Sequence, residues 1–450
     1  MISNVAKTSV LKNAVRGLAN ASACATPAAP VGGYSDYCID KTILSNRIIV
    51  ASAENESLIS RVSVVFRAGS RYETIHSLGT AHVLRIAAGL STKSASQFAI
   101  IRNVQEVGAS LTCSVDRETI TYTLEGTRSA VQCTLPILKA VAVEQCFKPW
   151  EVSDNIPRLR LELATRPPQL RAIDLLHKAA YHSRGLGHSI YIAKYNLDKI
   201  SPETLQHHVQ ENFTGERCAV VGLGINHQDL VSFANCLDLG AQGCAIKPSQ
   251  YKGGEIRSDK GGQYAHIAIA GEGASLENLK EALAFSILQR TLGAGTYIKY
   301  TNENNSPFAK LIPNTIAANT INAFNVSYSD SGLCGALISA ESDKAGNLVE
   351  GVIKTLKQAE VSSADFERGK RQTQTAITLA YESGSNGIVE LANSAVLVRC
   401  PISLGQILKE LNGITHSDVN SAAAKVARSN LSIASVGNLS CVPFLDEVAC

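Results

Sequence analysis

Beyond about residue 35 the chain alternates between stretches with apolar residues at every second position and stretches where they recur every three or four. In 60–67, Val62, Val64 and Phe66 fall on one side and Ser63 and Arg67 on the other, which predicts a half-buried strand. Residues 77–89 predict a short helix, opened by Ser77 or Thr80 and closed by Gly89. Residues 95–107 predict another, with Phe98, Ile101, Val104 and Val107 at helical spacing and Gly108 as the stop. Thr119 to Leu124 is β-branched and aromatic, hence a strand. Helices are expected over 127–144, kinked at Pro136, and over 169–182, with a short buried strand at 217–222.

The second part repeats this order. Strands are expected at 265–270, 320–328 and 431–436, and helices at 276–291, 345–358, 363–382 and 416–428. Ile200-Ser…Leu205 opens a helix leading to a strand that ends at Gly222. Ile414-Thr…Val419 opens one leading to a strand that ends at Gly437, an offset of 214 residues at the start and 215 at the end. Shared order plus a local match argues for an internal duplication. Between the parts, Lys247 to Gln263 is rich in Gly, Lys, Ser and Asp and reads as a linker. The expected domains are therefore 36–246 and 264–450.

Composition changes this picture in a few places. At 45% hydrophobic and 18% charged residues the chain is globular, and its 450 residues exceed one ordinary core. A net charge of +3 without a dense basic stripe excludes a nucleic-acid binder. No apolar run reaches the length of a membrane span, so any membrane attachment goes through partners. The twelve cysteines are scattered, without a C-x-x-C pair, and are expected to be buried free thiols in a reducing compartment. The N-x-S/T triplets at Asn212, Asn325, Asn430 and Asn438 then carry no meaning. Residues 1–35 hold Lys7, Lys12 and Arg16 but no acid before Asp36, the composition of a mitochondrial import sequence, with a flexible joint at Ala25–Gly33. Gly222-Leu-Gly224 lacks the third glycine of a dinucleotide fingerprint. His207-His208 point to different sides of a helix and read as a solvated face. Neither a G-x-S-x-G elbow nor a P-loop occurs.

One stretch comes close to known chemistry. Ala68-Gly-Ser-Arg-Tyr-Glu73, followed by Leu78-Gly-Thr-Ala-His82-Val-Leu-Arg85-Ile86, resembles the start of a pitrilysin-type zinc peptidase, the family of mitochondrial processing peptidase. That family carries H-x-x-E-H on a helix. Residues four apart share a face, so two imidazoles bind one Zn²⁺, the glutamate between them takes a proton from the metal-bound water, and a later glutamate completes the ligand set. On this pattern His82 is the first ligand, Arg85 stands at the general base, Ile86 at the second ligand, and Glu162 is the counterpart of the later glutamate. Arg85 puts a cation where the metal belongs, and Ile86 offers no lone pair. His82 then reads as a hydrogen-bonded interior histidine. No catalytic residue, metal or cofactor is expected.

The resemblance runs from about residue 40 to the C-terminus and includes Leu175–Tyr181 and Ala219–Gly224. Leu292-Gly-Ala-Gly295, Asn325-Val-Ser-Tyr-Ser-Asp-Ser-Gly-Leu333 and Gly437-Asn-Leu…Pro443-Phe-Leu-Asp-Glu447 narrow it to the core-protein branch of that family, found in respiratory complex III. It implies an α+β fold of two homologous pitrilysin-like domains, each a mainly antiparallel sheet covered by helices, arranged as a clam. It further implies a non-catalytic structural subunit on the matrix side of the mitochondrial inner membrane, partnered by core protein 1, cytochrome b and other complex III subunits. A second reading is a non-catalytic α-like partner in a processing-peptidase heterodimer, holding presequences such as that of the Rieske protein.

Overall fold

The structure is a computed structural model, and it describes residues 39–55, 57–240, 247–293, 306–312, 319–358 and 360–448. The expected import sequence and part of the Leu292–Gly295 motif lie outside these residues.

The first half contains β1 (Ile39–Ile43), β2 (Ile49–Ala53), β3 (Ile59–Phe66), α1 (Thr80–Ala87), α2 (Gln97–Glu106), β4 (Ser110–Val115), β5 (Ile120–Thr127), α3 (Arg128–Val143), α4 (Pro149–Asp154), α5 (Ile156–Thr165), α6 (Pro168–Ala180), α7 (Pro202–Asn212), β6 (Cys218–Leu223) and α8 (His227–Asn235). The second contains β7 (Gly254–Asp259), β8 (Tyr264–Glu272), α9 (Leu279–Leu292), α10 (Pro307–Leu311), β9 (Thr320–Ser327), β10 (Gly332–Glu341), α11 (Ser342–Lys357), α12 (Ser363–Glu382), α13 (Ser385–Asn393), α14 (Leu404–Asn412), α15 (His416–Arg428), β11 (Ser432–Gly437) and α16 (Leu445–Val448).

Two sheets result, ordered β1-β2-β6-β3-β5-β4 and β7-β11-β8-β10-β9. Without β1 the orders are identical, and in each sheet the pairing of its first strand with its last, β2 with β6 and β7 with β11, is parallel while the others are antiparallel. The duplication inferred from shared element order and a local match thus extends through both sheets.

The halves are joined by exchanged helices. The first half's α6 lays Ala172, Ile173, Leu176 and Ala180 on the second sheet, against Ala268, Phe324, Leu333, Leu337 and Val436. The second half's α13 lays Ile388, Leu391 and Ala392 on the first sheet, against Ile49, Ala51, Val65, Ala219 and Val221. The opposite face of each sheet packs against its own half's helices. Burying Ile388 and Leu391 alone stabilises this arrangement by roughly 3–6 kcal/mol, an upper figure.

This double cover corrects the half-buried reading of β3. Val65 points away from Val64 yet is buried under α13, and Ser63 on that face bonds the Thr123 hydroxyl at 2.8 Å. Two further expectations shift. Gly254–Asp259, inside the expected linker, is a strand paired with β11. On α2 the buried residues are Ile100 and Val104, whereas Phe98, Ile101 and Val107 are exposed, so only Val104 of the expected apolar stripe faces the core.

Candidate functional site

Helix α1 begins at Gly79, whose φ of +96° and contact with Ile192, 2.6 Å from where a Cβ would stand, admit only glycine. Its free N–H groups are capped from a distance: the Gly79 and Ala81 N–H groups donate to the two Glu73 carboxylate oxygens at 2.8 and 2.7 Å. Burial pushes the Glu73 carboxyl up to about 8, against the pull of those two donors. The preceding Gly69 lies on the Arg117 backbone, leaving no room for a Cβ. The first motif is thus a device for setting α1 against the sheet.

On α1, His82 is 1% exposed. Its Nε2 lies 3.1 Å from Glu162 of α5, and its Nδ1 accepts the Ile192 N–H at 3.3 Å. These partners suit the neutral ring with its proton on Nε2. Burial, foremost, lowers its basicity. The structure therefore brings His82 and Glu162 together, as the motif places them. Arg85 joins them: its Nη2 donates to the same Glu162 oxygen, and Arg158 lies 3.8 Å from the other. Burial alone would raise the Glu162 carboxyl, but the bonds from His82 and Arg85 outweigh it and hold it below its usual range. Ile86, one turn beyond His82, is 3% exposed and belongs to the first half's core.

The corner offers two donor groups, one imidazole and one carboxylate, and the carboxylate already has a guanidinium beside it. A catalytic zinc takes three protein ligands, so the side chains present do not fit one. Among the described residues no three His, Cys, Asp or Glu side chains gather to hold a metal.

The motifs conceal a second set of residues, to which the spacing along the chain assigns no roles. Arg71, with its side chain 3% exposed, bonds Glu118 at 2.6 Å and reaches across to Asp330 at 2.8 Å. Glu118 accepts the Ser329 N–H at 2.9 Å and its hydroxyl at 2.5 Å. Tyr328 donates its hydroxyl to His177 Nε2 at 2.8 Å, while His177 Nδ1 lies 2.8 Å from the Ile173 carbonyl. Ser331 meets the Tyr181 hydroxyl at 2.9 Å. Four consecutive residues of the second-half motif, Tyr328 to Ser331, each bond the first half. A cluster of small polar residues between two strand-like runs is the one signal that could have marked this turn.

Other expectations are corrected. His208 is buried, with Nε2 3.0 Å from the Ala68 carbonyl, and only His207 is solvated. All eight described cysteines are free, but only Cys218 and Cys334 are buried, and Cys133, Cys236, Cys400 and Cys441 are exposed. Gly222-Leu-Gly224 closes β6 and turns at Gly224 with φ of +66°.

Comparison with known proteins agrees with this geometry. Residues 49–194 match the model of the insulinase family, peptidase family M16, and residues 199–373 match that of the peptidase M16 inactive domain. The chain is 35% identical to the mouse protein named cytochrome b-c1 complex subunit 2, mitochondrial, covering 94% of this chain and 95% of that one. The human protein of that name is 34% identical, covering 94% of each chain. A probable mitochondrial-processing peptidase subunit alpha-1 of Arabidopsis thaliana is 26% identical over 91% of this chain and 83% of its own. Among solved structures, a chain of complex III2 from Candida albicans superposes with a TM-score of 0.78 at 18% identity, covering 91% of this chain and 99% of that one.

Proposed function

The chain belongs to the insulinase family, peptidase family M16, and on that footing we propose that it is a non-catalytic structural core subunit of mitochondrial ubiquinol–cytochrome c reductase, complex III. The observation that carries the non-catalytic part is the Arg85 guanidinium on Glu162 with Ile86 sunk in the core. The position of the family's general base is held by Arg85 and that of its second imidazole by Ile86, so the cation of the corner is a side chain. The degenerate set is His82, Arg85, Ile86 and Glu162.

The proposed role is assembly and stability of the complex. Its partners are core protein 1, of the same fold, with cytochrome b and other subunits. The location is peripheral, on the matrix side of the inner membrane. Among the described residues no helix is long and apolar enough to cross a membrane, which supports attachment through partners.

The likeness to processing-peptidase alpha subunits favours the second reading, an α-like partner that holds basic presequences such as that of the Rieske protein. That reading calls for an acidic lining. The side chains beside Glu162 are Arg85 and Arg158, with Arg160 on the same helix, which favours the structural role.

The test is affinity capture of the full chain from mitochondrial membranes. Core protein 1 and cytochrome b in near-stoichiometric yield are expected. Capture of a single catalytic peptidase subunit without cytochrome b would overturn the complex III assignment in favour of the heterodimer.

A further inference from the structure

Helix α2 carries apolar residues on two faces, and the fold uses one of them. Ile100 and Val104 enter the first half's core. Phe98 and Ile101, which share the expected stripe with Val104, are 74% and 45% exposed. The helix that displays them is firmly seated. The Ser96 side chain accepts the Ala99 N–H at 3.3 Å, and Ser91 Oγ accepts the Gln97 N–H at 3.3 Å. Its outer surface is an open groove lined by Phe98, Ile101, Arg102, Gln105 and Glu106. A lone exposed apolar residue needs no explanation, but a phenylalanine and an isoleucine three apart on one fixed helix form a contiguous patch.

The charges on this face decide what fits it. Arg102 and Glu106 stand four apart, so they lie side by side on the exposed side of the helix. Neither has an ion-pair or hydrogen-bond partner among the described residues. Arginine ahead of glutamate is also the weaker order for a pair within one helix. A second α2 laid antiparallel, about a two-fold axis level with Val104, brings Arg102 opposite Glu106 of the copy and Glu106 opposite Arg102 of the copy. The ion pair then forms twice along one flank, as a two-fold contact requires. A parallel arrangement about a two-fold axis would set like charges together. The antiparallel one also places the positive end of each helix beside the negative end of the other.

We infer that the outer face of α2 is a self-association surface whose occupant is α2 of a second copy of this chain, with Phe98 and Ile101 buried at the contact and Arg102 and Glu106 pairing across it. Two helices of ten residues cover less than the ~1,200 Å² of a standard stable interface. The dimer formed by this contact alone is therefore weak, with a dissociation constant on the order of 10–100 µM. Because the face belongs to this chain alone, the pairing needs neither core protein 1 nor cytochrome b.

Sedimentation equilibrium of the full chain, over a concentration range spanning that constant, tests the contact. A reversible monomer–dimer equilibrium is expected. Phe98→Asp should abolish it. Arg102→Glu or Glu106→Arg alone should weaken it about tenfold, because each change turns two attractive pairs into two repulsive ones. The double variant Arg102→Glu with Glu106→Arg should restore it. Leu58→Asp, at an exposed leucine elsewhere on the first half, should leave it unchanged. All these positions are exposed, so thermal unfolding should occur at the native temperature in every variant. A chain that stays monomeric throughout the range overturns the inference. So do dimers indifferent to Phe98→Asp, a double variant as weak as the single ones, or equal loss in Leu58→Asp. A photo-reactive benzoylphenylalanine in place of Phe98, in the chain captured from mitochondrial membranes, should give a chain-to-chain cross-link. Cross-links to a different protein alone overturn the second copy as occupant.

Discussion

The corner around His82 and the seam around Arg71 start from the same stretch of sequence, with Arg71 and His82 eleven residues apart, yet the two differ in kind. At the corner, Arg85 and Glu162 have side chains 27% and 28% exposed, and the ion pair is open to water. At the seam, Arg71 and Glu118 are each 3% exposed, with Asp330, Ser329 and a backbone carbonyl satisfying the remaining groups. A surface pair can be exchanged at small cost, because water replaces whatever is lost. A buried network is all or nothing, since each missing member strands its partner. Of the zinc-motif positions only the Arg85–Glu162 pair stands at the tolerant place, since His82 and Ile86 are buried, whereas the groups that fasten the halves stand at the intolerant one.

The largest effect should come from breaking the seam. Arg71→Ala strands Glu118 and Asp330 and should cost about 3–5 kcal/mol. Arg85→Ala should cost about 1 kcal/mol or less, because Glu162 is screened by solvent and keeps His82. Chemical denaturation of the two variants side by side checks both, and equal losses would contradict the contrast. Arg71→Lys should fall between them, as an ammonium has no fork to span Glu118 and Asp330.

The seam should also respond to acid. His177 is neutral when folded, because burial first and Arg117 second depress it to about 3 from an ordinary 6.5. Its contribution is fully present above pH 6.5 and is lost as pH falls toward about 3, at about 1.4 kcal/mol per pH unit. Glu73, raised to about 8, has the opposite sign: its contribution is present below pH 4.5 and is lost as pH rises toward about 8. Stability measured against pH should therefore lose one proton of slope between pH 3 and 6.5 in His177→Gln. An unchanged slope would show that His177 is not the titrating group.

The corner can be sharpened by rebuilding it. Ile86→His alone adds a third ligand beside the Arg85 cation and should retain no zinc. Arg85→Glu with Ile86→His restores the full set and should retain about one zinc per chain through dialysis, read by elemental analysis. Zinc in the native protein that disappears in His82→Ala would overturn the degenerate reading. Zinc absent from the double variant would mean that the α1 and α5 backbones no longer approach as ligands require. The smallest expectation is that the mature chain starts within 17–36, checked by N-terminal sequencing.

Much of this molecule was legible in its residues. The expected bounds of α12 and α15 agree to the residue and those of β3, β6 and β8 to within a few; α15 and the strands carry regularly spaced apolar residues, whereas α12 has none between Phe366 and Ala376 and opens at the Ser362 cap. The spacing of His82, Arg85 and Ile86 placed them on one helix, and the choice of Glu162 as their partner agrees with the 3.1 Å contact. Short edge strands such as β1 and β4, and the strand hidden in the glycine-rich 247–263, gave no such pattern.

What sequence alone determined was local: where the chain turns helical or extended, that it repeats, and that the metal motif is incomplete. Only the tertiary structure decided what each apolar face meets. Helices α6 and α13 are amphipathic in either half, and nothing within a helix says which sheet it will cover. That choice is made by shape and by the seam, where Tyr328 to Ser331 find partners more than a hundred residues away. Contacts so distant along the chain leave no periodic trace, because their cost is loop closure and their reward is burial, and both depend on where the rest of the protein has already packed.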